Sequence, residues 1–270
     1  MTTSLTVLHD SAIAPRWAEI RNAATEAWDC RMRGYVPDNI RSRILSMPGD
    51  NTKLAKGSTP IFGLTLAPAG ASGYQLCPWR SPECEAACLG ITAGRSRFSN
   101  VQQARIDKTR LLMDEPFRFM AQLYKELHRA RAYHGHTGWA FRSNVLSDIP
   151  WEDIAPQVYR FCRNNYDYTK SYQRAVRSLN PADTNVFLDL TLSYSGHNWD
   201  ECESYMKLGG KSAVVFSVGK GDPLPEEYRG WEVIEGDEND CRFRDRPGCI
   251  VGLRAKGKIN KGSKFVVSDF

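Results

Sequence analysis

A chain of 270 residues, 41% apolar, 11% aromatic and 25% charged, is long enough for one large domain or two small ones and has the make-up of an ordered globular protein, not a disordered one. Its 36 basic and 31 acidic side chains leave a formal charge of +5, a mild excess that admits a polyanionic partner without requiring one. No run approaches the roughly 20 apolar residues of a membrane helix, and the opening MTTSLTVLHDSAIAPRW lacks the regions of a signal peptide, so a cytoplasmic protein with no membrane partner is expected.

In chain order, PRWAEIRNAATEAW (15–28) has helical spacing and MPGDNTKLAKGSTP (47–60) reads as loop, so residues 1–60 are expected to form a helical and irregular extension. IFGLTLA (61–67) is strand-like, and the loop LCPWRSPECEAACLG (76–90) follows it. SNVQ reads as a capping box in which Ser99 and Gln102 open a helix. A second helix follows Asp114, with Phe117, Met120, Tyr124, Leu127 and Arg131 at helical spacing. GWAFRSNVL (138–146) is a predicted strand, after which Asp148 and Pro150 open a helix with Ile154, Val158 and Phe161 on its inner face.

YDYTK (166–170) is a short predicted strand, followed by a helix to about Ser178. NVFLDLTL (185–192) is another strand, and Asn198 with Glu201 caps a helix that stops at Gly209-Gly210. KSAVVFSVG (211–219) is apolar throughout, the mark of a strand buried on both faces. WEVIEG (231–236) and CIVGLRAKG (249–257) are the last two strands.

Helices between strands argue for right-handed βαβ units. The expected fold is therefore α/β: a partial or irregular (β/α) barrel of six to seven mainly parallel strands over 61–258, with a basic tail at 259–270. An open doubly wound sheet is the alternative. In both, the functional rim lies at the C-terminal ends of the strands, and unusual polar residues stand there: the cysteine loop; Asn144, Ser147 and Asp148; Thr169 and Lys170; Ser193, Ser195 and His197; Lys220 and Asp222; Asp237 and Asp240.

Eight cysteines in a reducing compartment are not a disulfide framework, so clustered ones point to a metal or to catalysis. Cys30, Cys162 and Cys202 are scattered in helix-like segments and read as small buried hydrophobes. Cys77, Cys84 and Cys88 form C-x₆-C-x₃-C. Three readings follow: a [4Fe–4S] cluster on three thiolates with one iron left free; zinc, with Cys241 or Cys249 as a fourth ligand; or buried or redox-active thiols without a metal.

Each remaining candidate has two readings. Asp148 is a general acid or base, or the N-cap of its helix. Lys170 binds a phosphate or carboxylate, or is merely solvated. His197 is a ligand or proton shuttle, or neither. Asp237 and Asp240 hold a hard cation or make a turn. LRAKGKINKGSK (253–264) tracks a nucleic-acid backbone or is a solvated tail, and Arg95, Arg97, Arg105, Lys108 and Arg110 add basic character beside the thiols. P-loop, G-x-G-x-x-G, H-E-x-x-H and G-x-S-x-G motifs are missing.

NTKLAK (51–56), CPWRSPECEAACLG, FRSNVLSDIPWE (141–152), YDYTK and EGDENDCRF…IVGLRAKGK (235–258) together resemble a phage-encoded three-cysteine family, the gene-product-eighty-eight type, over roughly 50–258. The resemblance implies a phage protein working in the host cytoplasm on a barrel distantly like that of radical-SAM proteins. It makes the polar residues of those motifs, Lys53, Lys56, Arg142, Asn144 and Thr169, candidate substrate contacts beside His197. It also raises S-adenosylmethionine as a cofactor, although C-x₆-C-x₃-C departs from the radical-SAM spacing C-x₃-C-x₂-C. The expected function is an iron–sulfur enzyme, with Asp148 and Lys170 as catalytic candidates, acting on an anionic substrate such as a nucleotide or nucleic-acid base. The alternative is a non-catalytic nucleic-acid-binding protein with a structural zinc site.

Overall fold

The computed structural model of the chain describes residues 14–34, 43–50, 57–92, 96, 98–180, 182, 186–256 and 263–270. Ten strands form one sheet: β1 (Leu45–Ser46), β2 (Ile61–Leu64), β3 (Ala140–Arg142), β4 (Asn164–Thr169), β5 (Asp189–Ser193), β6 (Lys211–Phe216), β7 (Glu227–Tyr228), β8 (Trp231–Glu235), β9 (Cys249–Arg254) and β10 (Val266–Val267). Their order is β1-β2-β3-β4-β5-β6-β9-β8-β7, with β10 paired to β6. From β2 through β9 to β8 every pairing is parallel, and only β1 and β7 run antiparallel to their neighbours. The fold is thus α/β with an open, mainly parallel sheet, as the alternation of elements predicts. One departure is non-local: β9 returns between β6 and β8, so sequence order and spatial order part company there.

Helices follow the strands: α1 (Trp17–Met32), α2 (Pro82–Ala86), α3 (Leu89–Thr92), α4 (Ser99–Asp114), α5 (Pro116–His134), α6 (Trp151–Ile154), α7 (Tyr172–Ser178) and α8 (Trp199–Lys207). On α5, Met120, Tyr124 and Leu127 of the predicted stripe are buried together with Phe119 and Leu123. Helix α1 lays Ile20, Ala24 and Ala27 against α5. These small residues let Tyr124 Oη donate to the Ala24 carbonyl at 3.3 Å and Trp28 meet the Tyr124 ring edge-on at 5.5 Å. The N-terminal helix therefore shares the main core. No helix among the described residues is long and apolar enough to cross a membrane.

Neither the α4 nor the α8 cap position makes a side-chain capping bond. The α4 cap position is Phe98, and Gln102 donates to the Ser96 carbonyl at 2.8 Å. Asn198 precedes α8, but its Oδ1 accepts from Ser195 N and Oγ at 2.7 and 2.9 Å. Gly209 ends α8 in the left-handed region at φ +92°, as a helix stop requires.

Side chains alternate across the sheet. Phe62, Phe141, Leu190, Leu192, Val214, Phe216 and Ile250 pack into the hydrophobic clusters shared with the helices. The opposite face is covered by the β8–β9 loop. Its Asp240, fully buried, accepts from Tyr166 Oη (2.8 Å) and Arg142 Nη1 (2.8 Å). Cys241 packs with Ile61, Ala140 and Tyr166, and the carbonyl of Arg242 accepts from Lys211 Nζ, which also holds Asp189. The loop read from sequence as a turn or cation site is a polar plug. Substituting Asp240→Ala strands the Arg142 charge and the Tyr166 hydroxyl inside the protein. The expected loss is about 3–5 kcal/mol of stability, read as a lower urea midpoint; a loss no larger than that of a surface substitution would refute the assignment.

Candidate functional site

The loop that follows β2 is built around its thiols. Cys77 N donates to Gln75 Oε1 (2.9 Å), while its sulfur accepts from Ala69 N (3.4 Å) and donates to the Leu146 carbonyl (3.6 Å). Ser81 caps α2 by accepting from Cys84 N at 3.1 Å, and Pro82 occupies the first helical turn, where a missing N–H costs nothing. Cys84 lies on α2, and Cys88 follows the helix end, with its N–H donating to the Glu85 carbonyl at 3.1 Å. All three thiols are half-buried.

They line one cleft of about 250 Å³ at the C-terminal ends of the parallel strands. Arg142, Tyr168 and Lys170 line it with them, and Val215, Leu253, Phe265 and Val266 form an apolar side. Lys170 is hydrogen-bonded to the Cys84 sulfur. Burial alone pulls its ammonium down, but the charges of Cys84 and Asp148 outweigh burial and hold it above the ordinary lysine value. Burial first, with Asp148 and the charges of Cys84 and Cys88 adding, pushes the Cys77 thiol up to about 12. Arg105, near Cys88, donates to the Gly90 carbonyl and Ser96 Oγ, both at 3.1 Å. Two cations therefore stand beside the trio, Lys170 at Cys84 and Arg105 near Cys88.

The other predicted residues divide sharply. Asp148 does not cap α6, whose cap position is Pro150. It accepts from Lys170 N (3.0 Å), Thr169 Oγ1 (3.2 Å) and Arg174 Nη1, so it orients the strand end that carries Lys170. Thr169 is further engaged by Ser171 N and Arg174. Asn144 lines the cleft, yet its amide is occupied: Oδ1 accepts from Ser147 Oγ and Ile149 N, both at 2.8 Å, and Nδ2 donates to the Ile149 carbonyl. Both residues build the wall; their hydrogen bonds are already committed to the protein.

Arg142 forms the floor, its guanidinium 4.7 Å over the Tyr168 ring, and its Nε, 3.6 Å from Asp167 Oδ1, makes no hydrogen bond. His197 is outside the cleft: half its side chain is exposed, and Nε2 lies 2.9 Å from Glu83 Oε1, clasping the cysteine loop from without. Lys53, Lys56, Arg95 and Arg97 lie outside the described residues. Asp237 pairs with Arg254 and Lys256. Cys249 donates to the Arg246 carbonyl at the far end of its strand, and neither it nor Cys241 lines the cleft, so neither is a fourth ligand. Among the described residues no group of three or more His, Cys, Asp or Glu side chains is placed to hold a metal ion.

Tyr168, Val215, Leu253 and Phe265 carry no sequence signal as site residues, since an apolar or aromatic side chain in a strand reads as core. What fold and cleft define is an α/β protein whose parallel strands converge on a pocket carrying three cysteines. The chain belongs to the phage gene product 88 family: that family's model, described as Gene product 88, matches residues 43–269. The match includes every strand and the thiol loop and begins after α1. No curated protein matches the chain, and no solved structure does.

Behind the floor, Asp167 accepts from Ser143 Oγ at 2.7 Å, and burial raises its carboxyl from 3.8 to about 7 against the pull of Arg142. The unfolded chain releases this proton near 3.8 while the native chain keeps it to about 7. Stability contributed by Asp167 is therefore full below that window and declines as pH rises through it. Denaturant titrations across the window should show a shallower decline for Asp167→Asn than for the wild-type chain; parallel curves would count against it.

Proposed function

We propose that the protein is a phage iron–sulfur enzyme of the host cytoplasm, with a cluster on Cys77, Cys84 and Cys88 and a small anionic substrate bound beside it. The observation that carries this is the convergence of three thiols from one loop with Lys170 in a single cleft at the C-terminal ends of parallel strands. The donor set bears on the choice of metal. Zinc held by three thiolates needs each sulfur about 2.3 Å from one point, and no such grouping is present among the described residues. A four-iron cluster on three cysteines would take each thiolate on a different iron, so it would not need the three sulfurs to meet at one point. Three cysteines leave the fourth iron open to an outside ligand, which is the chemistry the cluster would supply.

The chain's own residues do the rest. Lys170 would offer an ammonium to the substrate anion, with Cys84 among the residues that would hold the cluster, and the Asp148 bond to its backbone fixes where it stands. Arg142 lines the floor beside it. The apolar side formed by Val215, Leu253 and Val266 receives the non-ionic part. A cleft of about 250 Å³ suits a small molecule, or one base of a nucleic acid, and not a length of backbone.

Anaerobic purification tests the reading. The expected product is brown, with iron and sulfide in comparable amounts; Cys77→Ser, Cys84→Ser or Cys88→Ser each lose the colour, and Cys249→Ser keeps it. A colourless protein with stoichiometric zinc would favour the structural-zinc, nucleic-acid-binding alternative and end this one. S-adenosylmethionine binding is read on the same sample by equilibrium dialysis. Lys170→Met should weaken binding of a nucleoside monophosphate by about 1.5–3 kcal/mol, the range for a hydrogen bond to a charged group.

A further inference from the structure

We infer that the C-terminal segment Ser263–Phe270 is part of the thiol site, and that Phe265 is the side chain that screens the thiols and sets what reaches them. β5 accompanies β6 only as far as Ser193 opposite Ala213. Beyond that point the β6 edge would be bare, and β10 fills it, with Val266 opposite Val215 and Val267 opposite Phe216. The Ser217 amide donates to the Val267 carbonyl at 2.8 Å. Two further contacts seat the segment. Gly196, at φ +95°, lies so close to Lys264 and Phe265 that any Cβ there would stand 3.0 Å from their backbone. Phe270 meets the Phe216 ring edge-on at 5.4 Å.

This places Phe265 and Val266 in the wall of the cleft. Lys170 Nζ lies 5.9 Å from the centre of the Phe265 ring and is hydrogen-bonded to Cys84, so one ammonium links the segment to the thiols. A ligand approaching Lys170 would have its apolar part held against the Phe265 face. The role is independent of the metal, since it concerns access to the sulfurs themselves.

The test uses the full chain, reduced and free of metal, with iodoacetamide as the probe and mass spectrometry to follow each cysteine. Phe265→Ala should raise the alkylation rates of Cys84 and Cys88 several-fold while leaving Cys30, on α1, at its wild-type rate. Phe265→Leu keeps apolar bulk and should raise them less. Phe270→Ala, which loosens the anchor without touching the cleft, should move them in the same direction. Unchanged rates at Cys84 and Cys88 in Phe265→Ala would overturn the inference. So would a rise shared by Cys30 and the buried Cys162, because that reports loosening of the whole fold. Should Phe265→Ala fail to fold, the Leu and Phe270 variants decide the matter. Iron content plays no part in the measurement, so failure here and failure of the cluster are separable.

Discussion

The guanidinium of Arg174 is the tie on which the cleft depends. It is almost fully buried and donates to Glu152 through Nε and Nη2, to Asp148 and Thr169 through Nη1, and to the Ile149 carbonyl through Nη2. Its flat face lies 5.2 Å from the centre of the Trp79 ring in the thiol loop. One side chain on α7 thereby joins the β3–α6 loop, the end of β4 and the cysteine loop. A lysine in its place would supply one charge but not the planar fork that reaches several acceptors at once. Two carboxylates against one guanidinium leave a net negative charge in a buried place, and Lys170 next door offsets it. The ammonium that faces the thiols thus also stands beside this node.

Much of this was legible in the sequence because it rests on local chemistry. Buried parallel strands announce themselves as apolar runs, as in KSAVVFSVG, and the alternation with helices gives the layering and the working face. The thiol loop stood out in the sequence because three cysteines fall within twelve positions. What escaped was non-local. Nothing in the chain marks β9 as passing inside β8, because pairing order is settled by which edges remain open. The capping signals at Ser99, Asp148 and Asn198 are sound local patterns, but Asp148 is taken by the end of β4 and Arg174, and Asn198 by Ser195 three residues before it.

The same reasoning explains the mixed record of the site residues. Arg142 and Lys170 carry long charged side chains that seldom end in a wall without a purpose. Asn144, Thr169 and His197 are polar residues after strands, and such residues serve equally to shape a turn or to face a ligand. Only geometry separates the two uses: the Asn144 amide is committed to the 144–149 turn, and His197 points to Glu83. The apolar half of the cleft was unreadable in principle, since Val215 and Leu253 alternate along their strands as core residues do.

Strand β4 shows how the two halves belong together. A strand at the middle of a parallel sheet is ordinarily a near-continuous apolar run, yet this one reads NNYDYT and is largely buried. Its inward residues, Tyr166 and Tyr168, meet the Asp240 plug and the Arg142 floor. On the other face, Asn165 holds the carbonyls of Tyr159 and Cys162, Asp167 holds Ser143, and Thr169 holds Asp148. Burying so many polar groups is tolerable only because nearly every one is matched. The Thr169 match also fixes the Asp148 loop at the mouth of the cleft. The polarity that makes β4 a poor strand by composition is what aligns Arg142, Lys170 and the thiol loop on a single opening, and an apolar strand there would leave those loops without their anchors.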